Sequence, residues 1–89
     1  MQRITCLYSG HVQGVGFRYT VKSLALSYNV GGYVRNLADG RVELVVEGPD
    51  DQVDGLLGDV RKKMTGYIDH IEQQVLPATG EFCQFSIRA

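Results

Sequence analysis

Two groups of residues have types and spacing that suit chemistry. The first is Gly10-His11-Val12-Gln13-Gly14-Val15-Gly16-Phe17-Arg18. Three glycines within 10–17 suit a backbone that bends tightly, not a strand or helix interior. A turn of this kind, delivered to a helix N-terminus, exposes unpaired backbone N–H groups in a concavity, and the helix dipole adds partial positive charge there. Arg18 stands at its mouth, where a guanidinium can grip two oxygens of a tetrahedral oxyanion with more direction than a lysine. The chemistry expected is anion binding. The same glycines would also serve a plain strand-to-helix connection with Arg18 solvated. The anion is favoured because Arg18 falls one turn ahead of Val21 on an apolar stripe, and no acidic residue in 10–17 can pair with an inward-facing cation.

The second group is a single residue, Asn36, which precedes Leu37-Ala38-Asp39-Gly40. Side chains two apart share a strand face, so Asn36 lies with Val34 and emerges beside the first helix if Val34 packs beneath it. From there it could face Arg18. A turn residue bonding its own backbone is the other reading of an Asn at this place.

Spacing excludes several mechanisms. The loop lacks the third glycine of GxGxxG, no GK[ST] follows a glycine turn, and there is no GxSxG elbow. His11, His70, Cys6 and Cys83 form no CxxC or HxxxH pair, so no metal site is expected. Neither cysteine lies at the start of a Cys-x5-Arg loop, which rules out a cysteinyl phosphatase.

The elements that must hold these residues follow from periodicity. Residues 3–9 alternate, with Ile4, Cys6 and Tyr8 on one face, and predict a first strand. Val21, Leu24, Ala25 and Tyr28 mark the inward stripe of a helix over 18–29. Residues 32–37 and 41–47 predict a hairpin around Ala38-Asp39-Gly40, its second arm dry on the face of Val42, Leu44 and Val46 and largely wet on the other. Pro49 opens a second helix whose Val53, Leu56, Leu57, Val60 and Met64 face inward, with Asp50 and Asp51 first and Arg61, Lys62 and Lys63 last, as the dipole favours. Gly55 and Gly58 weaken it by roughly 1 kcal/mol each relative to Ala. Residues 67–76 and 82–88 predict strands around a 77–80 turn. The expected fold is α+β: a ferredoxin-like split β-α-β sandwich, with two helices on one face of an antiparallel sheet of four strands plus a short C-terminal fifth.

With 89 residues there is room for one domain, 1–89, and Leu, Ile, Val and Phe supply 26 of them. That exceeds the roughly 20% below which disorder is expected. Nine basic against ten acidic residues leave a net charge of -1, so no broad cationic surface exists for nucleic acid. No window approaches the roughly 20 apolar residues of a membrane span. A cytoplasmic monomer with no membrane or nucleic-acid partner and no cofactor is expected. Cys6 and Cys83 share parity with core residues and are both expected to face inward.

The pattern Gly10-x-Val12-Gln13-Gly14-Val15-Gly16-Phe17-Arg18 with Gly32-Tyr33-Val34-x-Asn36-x-x-Asp39-Gly40-x-Val42-Glu43 and Glu47-Gly48 resembles the two signature motifs of the acylphosphatase family, and Phe85-Ser86-Ile87-Arg88 resembles its last strand. The likeness is looser over 67–84. It implies a ferredoxin-like fold and hydrolysis of small acyl phosphates to a carboxylate and inorganic phosphate by direct attack of water, without a metal. It also implies Arg18 as phosphate binder, Asn36 as the residue that positions water, and Gln13, Gly14, Val15, Gly16, Phe17 and Arg18 as the phosphate-binding loop. An acyl phosphate suits these residues, because its carboxylate leaving group needs no general acid. A ferredoxin-like regulatory or small-ligand module without catalysis is the alternative. An RNA reader would carry aromatics on its central strands, and 41–47 has none.

Overall fold

The alternation at 3–9 forms β1 (Gln2–Gly10), and the 3-and-4 spacing after it forms α1 (Phe17–Ala25). The hairpin arms are β2 (Gly31–Asn36) and β3 (Val42–Gly48), followed by α2 (Asp50–Lys63), β4 (Ile68–Leu76) and β5 (Phe85–Arg88). This computed structural model describes residues 1–89. The strands form one sheet in the order β4-β1-β3-β2-β5. Ile4, Cys6 and Tyr8 of β1, Val34 of β2 and Val42, Leu44 and Val46 of β3 turn one face to the helices. Phe17, Val21 and Ala25 of α1 and Val53, Leu56, Leu57 and Val60 of α2 close the core over it. No helix is long and apolar enough to cross a membrane.

The ferredoxin-like α+β architecture is as expected, but four details differ. The sheet is mixed, because β5 runs parallel to β2 while every other pair is antiparallel. Accordingly β4 and β5 are not arms of a hairpin around 77–80. They occupy opposite edges, and the segment 77–84 crosses the sheet between them. Glu81 pairs with Arg3 of β1 at 2.5 Å, Thr79 and Gly80 bond Glu47 of β3, and the Gln84 carbonyl accepts from Gly32 N of β2 at 3.1 Å. α1 ends at Ala25, four residues early. Its last turn tightens into Ser27 N to Leu24 O and Tyr28 N to Ala25 O bonds, which leaves Leu26 82% exposed. The second face of β3 is not wet, since Val45 and Glu47 are both buried. There Arg88 lies 4.0 Å over the Tyr33 ring, Tyr33 packs edge-on against Phe82 at 6.0 Å, and Arg3 lies 5.2 Å over Phe82. Aromatic faces and guanidinium planes cover the sheet by the attraction between a cation and a ring quadrupole.

Cys6 is buried as expected, but Cys83 is exposed, and both are free thiols. Cys83 lies in the crossing segment before β5 begins, so strand parity does not govern it. Gly55 has a packing reason for its place in α2: a Cβ there would meet the Tyr28 ring at 2.5 Å. Tyr28 in turn donates its hydroxyl to Asp59 one turn further along α2, tying the chain just past α1 to α2.

Candidate active site

β1 ends at Gly10 and α1 begins at Phe17, so the connecting loop lies where strand hydrogen bonding has stopped and helix bonding has not started. His11 N still donates to Tyr67 O at 2.9 Å, and the first helical bond is Thr20 N to Gly16 O at 3.0 Å. Between them, none of the N–H groups of residues 12–19 donates to a carbonyl or a side chain. Gly14 (φ 78°) and Gly16 (φ 79°) are left-handed, and Gly16 is the N-cap of α1 with no side chain capping it. A Cβ at either would meet nothing within 4 Å, so the backbone angle, not crowding, selects glycine. The local chain therefore presents a row of free donors at a helix N-terminus whose first turn holds no acidic residue.

The loop's side chains divide by role. Val12 is 1% exposed and Phe17 is 2% exposed, and both belong to the core. The Phe17 ring packs against Tyr8 with centroids 5.0 Å apart, which fixes the start of α1 on the sheet. Burial raises the Tyr8 phenol well above its ordinary value, with Cys6 adding to the effect, so it stays neutral. Gln13 turns away from the free donors: its Nε2 donates to Leu37 O at 2.8 Å and Arg41 O at 3.0 Å. Sequence places Gln13 in the loop, but only the fold shows this link to the hairpin. The cue was a long carboxamide in a loop of otherwise apolar and glycine residues.

Arg18 does not lie on the buried stripe, which is Phe17, Val21 and Ala25. One residue after Phe17 on a helix of about 100° per residue, it sits at the stripe's edge, half-buried. It forms no hydrogen bond or ion pair, a state shared with Arg61 and with Arg88, which stacks on Tyr33, whereas Arg3, Arg35 and Arg41 are all paired with carboxylates. Asn36 lies on the helix-side face as expected. Its strand partner is Val42, which is in turn opposite Tyr8, and Tyr8 carries Phe17. The row Asn36, Val42, Tyr8 thus leads across the sheet to the residue beside Arg18. Asn36 makes no side-chain bond to the turn it precedes; Asp39 fills that role, its Oδ1 accepting from Arg41 N at 3.1 Å. That bond and the Arg41 guanidinium hold the Asp39 carboxyl below its usual range.

Apart from one beside Tyr19, Thr20 and Lys63 at the start of α1, the clefts of the molecule lie elsewhere. One of about 190 Å³ is bordered by Asn29, Gly31, Glu47, Gly48 and Cys83. It is at the far end of β2 from Asn36, five residues or about 17 Å away at roughly 3.3 Å per residue. Residues 10–18 line none of the clefts, so the donor loop is a surface feature open on one side.

The acylphosphatase family model matches residues 4–87. The chain is 43% identical over 86 residues to an acylphosphatase of Paenarthrobacter aurescens, covering 96% of this chain and 92% of the relative. It is 39% identical over 87 residues to one of Nocardia farcinica, covering 97% and 87%. The crystal structure of an acylphosphatase from Bacillus subtilis superimposes with a TM-score of 0.89 at 30% identity, over the full length of both chains.

Proposed function

The chain belongs to the acylphosphatase family, and on that premise we propose that its 13–18 loop and Arg18 hold the phosphoryl group while Asn36 holds the attacking water. The enzyme hydrolyses the carboxyl–phosphate bond of acyl phosphates. The water oxygen bonds to phosphorus, the bond from phosphorus to the carboxylate oxygen breaks with its electron pair on the carboxylate, and of the two water protons one stays on phosphate while the other stays there or passes to solvent. A carboxylate is a weak base, so it departs without a general acid. Charge on the phosphoryl oxygens is what must be stabilised, and donors already aimed at it cost no reorganisation during reaction. The observation that carries this assignment is the run of unbonded N–H groups at 12–19, which contains Arg18, an arginine with no protein partner.

Asn36 cannot accept a proton near neutral pH, but its oxygen and NH₂ can orient one water. Its help is positional, in the manner of other bound reactants held for attack. The same account takes 1–89 as one domain, acting as a cytoplasmic monomer on small acyl phosphates, with no nucleic-acid partner. The near balance of nine basic and ten acidic residues supports the last point.

Two variants separate the roles. Arg18→Gln loses charge-assisted bonds worth about 1.5–3 kcal/mol, so inorganic phosphate affinity and kcat/KM both fall by about 10- to 150-fold. Asn36→Ala lowers kcat and kcat/KM together with KM and phosphate affinity little changed, the pattern of an interaction made mainly in the transition state. Inorganic phosphate raises the wild-type Tm, as a ligand bound only by the native state must, and raises it far less in Arg18→Gln. Normal phosphate binding in Arg18→Gln, or loss of phosphate binding in Asn36→Ala, would refute the assignment.

A further inference from the structure

We propose that Gln13 is a positioning residue that keeps the phosphate loop in register with the water held by Asn36; this rests on the roles given above to the loop and Asn36. Gln13 Nε2 donates to Leu37 O at 2.8 Å and to Arg41 O at 3.0 Å. The same two carbonyls already accept within the hairpin turn, Leu37 O from Gly40 N at 3.2 Å and Arg41 O from Leu37 N at 2.8 Å. Both N–H bonds of the amide and both lone pairs of each carbonyl are therefore used. Leu37 directly follows Asn36, and Gln13 directly precedes Gly14, the first left-handed glycine. These are the only hydrogen bonds between 11–16 and the hairpin, since His11 N goes to Tyr67 O.

The chemistry makes this side chain a clamp and not a ligand. Its donors are spent on carbonyls, and its remaining Oε1 would repel a phosphoryl oxygen. What it controls is the distance between two half-sites that come from separate parts of the chain. In-line attack is sensitive to that distance, because a displacement of about 1 Å can cost about 100-fold in rate.

Gln13→Met keeps length and removes both donors. We expect kcat to fall about 10- to 100-fold while the inhibition constant of inorganic phosphate stays within about 3-fold of wild type. The double variant Gln13→Met/Asn36→Ala should have a kcat within about 3-fold of Asn36→Ala alone, because a misplaced loop loses nothing more once the water has no holder. Gln13→Glu adds a readout that bulk stability does not move. Its carboxylate faces two carbonyl oxygens at neutral pH, and its protonated form regains one donor, so its rate relative to wild type recovers as pH falls. That profile also serves if Gln13→Met fails to fold. Losses that multiply in the double variant, a parallel loss of phosphate affinity, or a flat relative pH profile would overturn the clamp. A slow Asn36→Ala beside a normal Gln13→Met overturns the clamp alone; a normal Asn36→Ala overturns the water-holding role and the clamp with it.

Discussion

Replacing Glu47 with glutamine tests how the crossing segment is held. Glu47 is 4% exposed, and its Oε2 accepts from Thr79 N at 3.0 Å and Thr79 Oγ1 at 2.8 Å, with Arg3 Nη1 at 3.4 Å. Its Oε1 accepts from Gly80 N at 3.0 Å. A glutamine keeps one oxygen and turns an NH₂ toward donors, so it best retains the Thr79 side and leaves Gly80 N facing another donor. Bonds to a charged group contribute about 1.5–3 kcal/mol against about 1 for neutral ones. Losing one outright and neutralising the other three costs about 3 kcal/mol at the low end of that scale. In a domain of this size each kcal/mol shifts Tm by about 4–8 °C, so the expected fall is about 12–24 °C.

The pH dependence has a definite sign. Burial alone would raise the Glu47 carboxyl, but the bonds from Thr79 and Gly80 and the Arg3 charge outweigh it, and the net shift is downward from 4.5. A depressed folded pKa contributes stability that is present above the unfolded value and lost as pH falls through the folded one. The deficit of Glu47→Gln should therefore be full at neutral pH and shrink below the ordinary carboxylate range. Urea and thermal unfolding of both proteins at pH 7 and pH 3 measure it. A variant within about 0.5 kcal/mol of wild type at pH 7, inside the ordinary range for surface changes, would refute the reasoning, as would a deficit that persists unchanged at pH 3. The soluble, folded variant should turn over substrate normally, because Glu47 lies near the opposite end of the sheet from Asn36.

Other expectations follow from single residues. Gly16→Ala forces a Cβ into the left-handed region at a cost of about 1–2 kcal/mol, and calorimetry with phosphate should find weakened binding well beyond that modest loss of Tm; unaltered phosphate affinity would contradict a loop shaped for an anion. Cys83, being exposed, should react with iodoacetamide in the native protein, while Cys6, whose thiol burial pushes up, should react only on unfolding. Mass spectrometry of native and urea-unfolded samples decides this, and equal native labelling would refute it. Neither Cys83→Ser nor Cys6→Ala should change kcat, although Cys6→Ala should lower Tm. Hydrolysis should continue in EDTA, and a loss restored by a divalent ion would refute a site built from backbone donors and Arg18.

Local patterns in the chain were enough to specify the element order and the helix-facing strand residues, and to single out the 13–18 loop and Asn36 as the candidate half-sites. Ile4, Cys6 and Tyr8 alternate because a pleated strand must, and Gly14 and Gly16 stand where only a left-handed turn connects β1 to α1. Those are short-range constraints, each legible within a few residues. The parity that put Asn36 beside Val34 is of the same kind. Pairing between distant segments was decided only by the tertiary structure. Nothing near 77–84 announces that it crosses β1, β3 and β2, since the acceptor that draws it there, Glu47, is some thirty residues earlier and looks in sequence like a wet-face acid. For the same reason Cys83 escaped strand parity and β5 came to lie parallel to β2. Gln13 shows the limit most clearly. Its type and place were visible, but a side chain's acceptors are set by which carbonyls the fold brings within about 3 Å, and those belong to Leu37 and Arg41 on the far side of the first helix in sequence. Local backbone geometry follows from neighbouring residues, whereas polar side chains are satisfied by whatever the folded chain places beside them.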